Sequence, residues 1–259
     1  MKKFIPIFAA LLLAVSCGTP LQIDSGRALS SILMAGQAAS ISDAQIQAYV
    51  AQYVAALDAQ STVMPASSSY TRRLMNLVSG IKQVDGVPLN FKVYKQNEIN
   101  AFACADGSVR VYTGMMDTMS DDELLGVIGH EIGHVALKHT KKEMRQAILT
   151  AAALQGLSSA SRTMAVITDS QLGSLGQAII GAQYSKSQES QADDYGYDFL
   201  VSAGKNPWAM AAAFEKLQSL SGSAAYSSAV TKLFSSHPDT AKRIERMSKR
   251  AAADGYKRP

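Results

Sequence analysis

The sequence has few of the residues that mark several common classes of protein. Its 259 residues include two cysteines, one tryptophan and four histidines. Two cysteines are too few for the disulfide framework that stabilises many small secreted domains. Neither apolar segment is predicted to span a membrane, which takes roughly 20 apolar residues. The segment 4–15 is too short, and the segment 147–168 is rich in alanine and serine and contains Arg162.

The chain also lacks a strong charge of either sign. It carries 25 basic and 21 acidic residues, a formal net charge of +4. Lys2 and Lys3 belong to the segment 1–16, which is predicted to be removed, and this leaves 23 basic residues against 21 acidic ones, or +2. The balance gives no reason to expect a nucleic-acid partner. With 47% hydrophobic residues, the chain is apolar enough for one globular domain, predicted over 41–259.

The N-terminus has the pattern of an export signal. Lys2 and Lys3 form a basic start, and an apolar stretch from 4 to 15 follows. The residues before Cys17 resemble a bacterial lipobox, with Ala14 where leucine is usual. In a lipobox the cysteine is acylated and becomes the mature N-terminus, so Cys17 is the predicted lipidation site. The alternative is an ordinary cleaved signal that contains a cysteine.

The residues after Cys17 indicate where such an anchor would lie. In bacterial lipoproteins an aspartate at the next position favours the inner membrane, whereas Gly18 indicates the outer membrane, facing the periplasm. Small and polar residues then predict a tether over 17–40. If Cys17 carries lipid, Cys104 is the one thiol left, which excludes an intramolecular disulfide. Cys104 is then either a buried small side chain or a site of intermolecular pairing.

The rest of the chain is predicted to be a mainly helical α+β domain with a small sheet. Ser42 and Gln45 form a capping-box pattern at the start of the first helix. Short alternating runs flank Asp106-Gly107, which indicates a β-hairpin. The predicted units are N-terminal helices at 41–85, a sheet at 87–114, central helices at 120–202 and C-terminal helices at 206–251.

The most informative motif is His130-Glu131-Ile132-Gly133-His134, which holds two of the four histidines. Ser120 and Glu123 form a second capping-box pattern, so a helix is predicted to begin about ten residues earlier. Residues four apart on a helix differ by about 40° in direction, so both imidazoles leave one face, one turn apart. That geometry suits two ligands of a single zinc ion. Glu131 lies about 100° further round the helix, where it can reach a metal-bound water without binding the metal.

A catalytic zinc normally takes three protein ligands, and the best third candidate is Glu189. Glu189 and Asp193 are four residues apart and share a helix face. Glu189 is predicted to bind the metal, and Asp193 to accept the free N–H of a ligand histidine. Asp194 and Asp198 are weaker competitors, because neither has a second acid in the same arrangement.

These residues predict hydrolysis of peptide bonds, with Glu131 as the base that takes a proton from water and gives it to the leaving amine. His237 or Arg243 is the candidate donor to the developing oxyanion. Two alternatives for His237 stay open: its His-Pro pair caps a helix, or His237 fills the open zinc position and holds the site latent. His139 is nine residues from His130, on the opposite side of a continuous helix, and is predicted to lie on the surface.

These motifs resemble those of a zinc metallopeptidase family that includes HtpX, the CaaX-prenyl-protein endopeptidases and BepA. The lipobox makes the chain most similar to outer-membrane lipoprotein members. The matching stretches span about 70 to 250 and are Asn100–Ala103, Val111–Gly114, His130–His134, Tyr184–Asp193 and Ser236–Arg243.

The resemblance implies a gluzincin-like fold with Glu189 as third ligand, and an endopeptidase that acts on exposed or misfolded envelope proteins. It also implies that Asn100, Ala101, Phe102 and Ala103 bind an extended substrate by strand addition. HtpX and the CaaX enzymes span membranes, whereas this chain has no predicted span, so soluble or membrane-peripheral substrates are expected. Predicted partners are another envelope protease or the outer-membrane assembly machinery. The alternative function is a zinc-stabilised chaperone or adaptor, which would have no need of Glu131.

Overall fold

The computed structural model describes residues 42–154, 184–221, 233 and 236–259. The predicted signal 1–16, Cys17, the tether 17–40 and the segment 155–183 lie outside these residues. The helices are α1 (Asp43–Gln60), α2 (Ser69–Leu77), α3 (Thr113–Thr118), α4 (Asp121–Ala136), α5 (His139–Leu154), α6 (Lys186–Ser202), α7 (Trp208–Ser221) and α8 (Thr240–Ala253). The strands are β1 (Gln83–Val84), β2 (Val87–Pro88), β3 (Asn90–Tyr94), β4 (Ala101–Ala103) and β5 (Ser108–Tyr112). The predicted mainly helical α+β class is confirmed.

The predicted helix starts at Ser42 and Ser120 are confirmed. In both, the serine side chain accepts the backbone N–H three residues on, and the side chain there accepts the serine N–H. Ser185 forms the same box with Gln188, so α6 begins at Lys186 and residues 184–185 are not helical. In each capping box, side-chain oxygens accept hydrogen bonds from backbone N–H groups that would otherwise have no partner at the start of the helix.

The predicted hairpin is confirmed as the antiparallel pair of β4 and β5, with Ala101 opposite Val111. The Asp106 carboxylate accepts the Ser108 N–H at 3.1 Å and supports the turn. A third strand, β3, pairs parallel with β5, which gives the strand order β3-β5-β4. Among the described strands, β4 pairs with β5 alone, so its other edge faces away from the sheet. The separate pair of β1 and β2 was not predicted.

The sheet lies between two apolar layers. One face packs on α4, where residues from Leu124 to Ile132 contribute to the largest core cluster. The other face presents Tyr94, Phe102 and Tyr112 to the buried side of α1. Cys104 is fully buried in this second layer, as the first of its two interpretations predicted. Helix α4 is therefore held rigidly inside the domain.

Two glycines let α4 and α6 approach closely. A β-carbon at Gly129 of α4 would lie 2.7 Å from the Phe199 ring, and one at Gly196 of α6 would lie 3.0 Å from the backbone nitrogen of His130. Because neither residue carries a β-carbon, the α6 backbone can lie directly against the histidine-bearing helix. The close packing brings the acidic residues of α6 to the two histidines of α4.

None of the helices in the described ranges is long and apolar enough to cross a membrane. The division of the chain into a removed signal, a lipidated tether and a single domain stays a prediction.

Candidate active site

Four side chains from three parts of the chain converge on one point. His130 and His134 come from α4, Glu189 comes from the first turn of α6, and His237 precedes α8. One ligand atom from each lies within 4.8 Å of the others. All four side chains are buried or nearly so. The structure thus brings together the three residues predicted to bind metal, and adds His237 to them.

The spacing of these donor atoms fits a metal ion. A tetrahedron with zinc–ligand bonds of 2.0–2.1 Å has edges of about 3.3 Å. His130 Nε2 and His134 Nε2 are 3.1 Å apart, and His134 Nε2 lies 3.3 Å from Glu189 Oε1. His130 Nε2 lies 3.7 Å from Glu189 Oε2 and 3.3 Å from His237 Nδ1. Three imidazoles and one carboxylate are also a donor set that zinc accepts.

The ionisation of two of the four donors agrees with this fit. Burial lowers the pKa of His134 well below its usual range, which favours the neutral imidazole that a metal needs. For Glu189, burial raises the pKa, but the neighbouring His237 and His134 outweigh burial and lower the pKa of that carboxyl. For His237, burial lowers the pKa, but the Glu189 carboxylate outweighs burial and raises it, so a metal at this position has to displace a proton from His237.

Asp193 and Arg243 lie directly behind the cluster. Asp193 Oδ1 is 3.0 Å from His130 Nδ1, on the edge of the ring opposite Nε2. The Arg243 guanidinium donates to both Asp193 oxygens, at 2.9 and 2.6 Å, and its third nitrogen lies 2.7 Å from Glu189 Oε2. The same guanidinium stacks over the Phe214 ring at 4.2 Å. All three nitrogens of Arg243 are therefore engaged with the two carboxylates.

Glu131 lies beside the cluster and outside it. Its side chain is 7% exposed, and its carboxylate is hydrogen-bonded by the backbone N–H of Ala103 on strand β4. Burial raises the pKa of Glu131 above its usual value, although the neighbouring histidines oppose the shift. A buried carboxylate with a raised pKa beside a metal-competent cluster is typical of a general base.

The prediction that His139 lies on the surface was wrong. Helix α4 ends at Ala136 and Lys138 has a positive φ of 63°, so His139 begins a new helix. This turn directs the His139 ring back to His134, and the two Nδ1 atoms lie 3.1 Å apart in the interior. The prediction assumed one continuous helix, because no glycine or proline marks the turn.

Tyr184 was not predicted as a neighbour of His134. Its ring stacks on that imidazole with centroids 3.7 Å apart and planes 20° from parallel. The two side chains are 50 positions apart in the sequence, and a lone aromatic residue before a helix gives no signal of such a contact.

The geometry defines a class of protein. Two histidines one helical turn apart, a carboxylate from a second helix and an unliganded glutamate between the histidines are the arrangement of an HExxH metallohydrolase.

Comparisons with known proteins agree. The model of Peptidase family M48 matches residues 67–251. Metalloprotease LoiP of Escherichia coli (strain K12) is 42% identical over 253 residues, which cover 96% of this chain and 98% of the relative. Metalloprotease YcaL of the same strain is 37% identical, with 97% and 98% covered. The beta-barrel assembly-enhancing protease of that strain is 31% identical over 229 residues, which cover 83% of this chain and 44% of the relative.

The chain belongs to peptidase family M48 and is a metalloendopeptidase. The family resemblance and the enzyme class predicted from the sequence are both confirmed.

Proposed function

We propose that the chain is a zinc-dependent endopeptidase that cleaves unfolded or misassembled proteins of the cell envelope. His130, His134 and Glu189 are the proposed ligands of one zinc ion per chain. The observation that carries the proposal is the donor spacing, with 3.1 Å between the Nε2 atoms of His130 and His134 and 3.3 Å from His134 Nε2 to Glu189 Oε1, close to the edges of a zinc tetrahedron.

The chain's own residues have separate parts in the proposed reaction. A zinc ion supplies a Lewis acid and lowers the pKa of bound water to about 7. Glu131 is placed to take a proton from the attacking water and to pass it to the leaving amine. Asp193 holds the His130 ring by its Nδ1–H. We assign Arg243 to fixing Asp193 and Glu189, because its three nitrogens are all engaged with them.

We propose that His237 is a fourth zinc ligand, which closes the water position and keeps the enzyme latent. His237 Nδ1 lies 3.0 Å from Glu189 Oε1, inside the donor cluster. Its Nε2 is 3.8 Å from Glu131 Oε1, so the ring also stands in front of the proposed base. A structural zinc site has four protein ligands, whereas a catalytic one leaves a position open.

Replacing His237 with alanine is therefore expected to raise basal hydrolysis at saturating zinc. Minor conformers are commonly populated at about 0.1–10%, so opening the site fully raises the rate about tenfold or more. The measurement is the initial rate at which wild type and His237→Ala cleave a short fluorogenic peptide. An oxyanion donor behaves in the opposite way, since its loss lowers kcat by about 10²–10³-fold. A fall in rate for His237→Ala would thus remove the latency proposal.

We further propose that substrates bind by strand addition along β4. The edge of β4 that faces away from β5 lies beside α4, where the Ala103 N–H already bonds the Glu131 carboxylate, so a strand added along this edge would pass close to the base. Asn100, Ala101, Phe102 and Ala103 are the proposed substrate-binding residues. Backbone pairing gives affinity with little sequence preference, which suits a protease of misfolded proteins.

Strand addition requires an extended backbone with unpaired hydrogen-bonding groups. A disulfide-bonded substrate is therefore expected to resist cleavage in its native form and to be cut after reduction and alkylation. Gel electrophoresis of timed digests, with both forms at equal concentration, measures the difference. Equal cleavage of the two forms would contradict the strand-addition proposal.

The alternative that the sequence left open is a zinc-stabilised chaperone or adaptor that binds envelope proteins with little or no cleavage, and the metalloprotease family of the chain disfavours it. The buried Glu131 beside the cluster argues against it, because a purely structural site needs no base. Equal protection of an unfolded client by wild type and Glu131→Gln, with no cleavage products in either sample, would favour the chaperone.

We propose an outer-membrane location, with Cys17 lipidated and the domain facing the periplasm. The lipobox-like residues support this location, and the beta-barrel assembly-enhancing protease among the relatives is consistent with it. A partner in outer-membrane assembly, or a second envelope protease, stays a prediction that crosslinking in intact envelopes would test.

Replacing Cys17 with serine is expected to move the protein from the membrane fraction to the soluble fraction of lysed cells. The serine hydroxyl has no sulfur and so cannot form the thioether bond through which a lipobox cysteine carries its lipid. Cys104→Ala is the matched control, since that thiol is fully buried and its loss leaves the anchor intact. Fractionation followed by immunoblotting measures how much protein is in each fraction. Retention of Cys17→Ser in the membrane fraction would contradict the proposed lipid anchor.

A further inference from the structure

His134 has a polar neighbour on the edge of its ring that faces away from the donor cluster. Its Nδ1 lies 3.1 Å from His139 Nδ1. His139 Nε2 lies 3.4 Å from Gln191 Oε1, and the Gln191 amide nitrogen donates to Ser187 Oγ at 3.1 Å. A row of side chains thus leads from the exposed side of α6 to the buried imidazole.

One arrangement of protons satisfies every member of this row when His134 Nε2 holds a metal. The proton of His134 is then on Nδ1 and is donated to His139 Nδ1. His139 must accept there, so its own proton is on Nε2 and is donated to Gln191 Oε1. The Gln191 amide then presents its NH₂ group to Ser187 Oγ, which is the direction of the hydrogen bond in the structure. The directions of all three bonds agree.

We propose that His139 is a positioning residue that holds the zinc ligand His134 through this Nδ1–H bond. The proposal rests on the proposed zinc site. The Asp193 carboxylate accepts the hydrogen bond from His130 Nδ1, whereas the neutral His139 imidazole accepts the one from His134 Nδ1. An acceptor at this position fixes the tautomer and the orientation of a ligand imidazole. It does so without adding a negative charge to a site that already holds Glu189 and Asp193.

The backbone fixes His139 in this position. The positive φ of Lys138 turns the chain immediately after α4, and His139 follows as the first residue of α5. The Thr140 hydroxyl donates to the His134 carbonyl at 3.2 Å, which joins the new helix to the end of the old one. Tyr184 covers the face of the same imidazole. His134 is therefore supported on one face and on its Nδ1 edge.

Two substitutions separate the acceptor from the volume of the side chain. In His139→Asn, the amide Oδ1 is attached to Cγ as Nδ1 is, so an acceptor remains within reach of the His134 N–H. In His139→Leu, a methyl group takes that place and no acceptor remains. The measurement is the zinc dissociation constant of each full-length protein, by competition with a chromogenic chelator at fixed pH. Far-UV circular dichroism of the metal-free proteins verifies that they are folded.

We expect His139→Leu to bind zinc about 10- to 100-fold more weakly than wild type, and His139→Asn to remain close to wild type. Gln191→Leu is a second variant, at an exposed position where substitution is not expected to disturb folding. We expect it to lose less zinc affinity than His139→Leu. Equal affinities for wild type and His139→Leu, or equal losses for the leucine and asparagine variants, would overturn the proposal. If wild type itself binds no zinc, the proposed function fails and this proposal fails with it.

Discussion

Replacing Glu131 with glutamine is expected to lower kcat for peptide hydrolysis by about 10²–10⁴-fold, the usual contribution of a general base. Glutamine keeps the shape of the side chain but cannot accept a proton. Zinc content should not change, because Glu131 lies outside the cluster of His130, His134, Glu189 and His237. The measurement is the rate of peptide cleavage at saturating substrate and equal zinc occupancy.

The matched control for Glu131→Gln is Glu245→Gln, which makes the same chemical change on the exposed surface of α8. Its expected rate is that of wild type. A glutamine variant at 131 that holds zinc and cleaves as fast as wild type would remove Glu131 from the mechanism. Loss of zinc from that variant would instead show that Glu131 helps to hold the metal.

Replacing Asp193 with alanine is expected to lower the free energy of unfolding of the metal-free protein by about 3–5 kcal/mol. Asp193 is fully buried, and its loss leaves the buried Arg243 guanidinium without two of its hydrogen-bond acceptors. Glu189 still accepts from the third nitrogen, which places the expected cost near the lower limit. Urea denaturation in the presence of a chelator measures stability without a contribution from zinc binding.

The double variant Asp193→Ala with Arg243→Met tests the cause of that cost. Removing both charges takes away a buried guanidinium that has lost two of its three acceptors, and methionine still packs on Phe214. Glu189 loses its Arg243 partner but keeps His237 Nδ1 at 3.0 Å, so the double variant should be more stable than Asp193→Ala alone. The His130 ring loses its acceptor in both variants, so zinc affinity is expected to fall about 10- to 100-fold in each. A cost below about 1 kcal/mol for Asp193→Ala is typical of an exposed ion pair and would contradict the buried one.

The parts of the fold that the sequence predicted depend on interactions between residues close together in the chain. Ser120 and Glu123 cap α4 within one turn, and Asp106 and Gly107 turn β4 into β5, so the helix and the hairpin were predictable. The parallel pairing of β3 with β5 was not, because it joins strands across the intervening β4 and depends on packing against α4. No local pattern in the sequence reports that packing.

The same distinction applies to the site. Glu189 and Asp193 could be chosen because their spacing places two acids on one helix face, which is a local property of α6. Their distance from His130 depends on Gly129 and Gly196, and the sequence alone did not indicate that contact. The surface position predicted for His139 was wrong because the chain turns at Lys138, a lysine with positive φ at a position where glycine is usual.

We propose that peptide hydrolysis requires one zinc ion in this cluster. The most direct test measures bound zinc per chain and the rate of casein hydrolysis on the same samples, during chelation and then during stepwise return of zinc. We predict that hydrolysis disappears with the metal and returns in proportion to zinc, with saturation at one ion per chain. Hydrolysis that continues at the original rate after all metal has been removed would contradict the requirement for zinc.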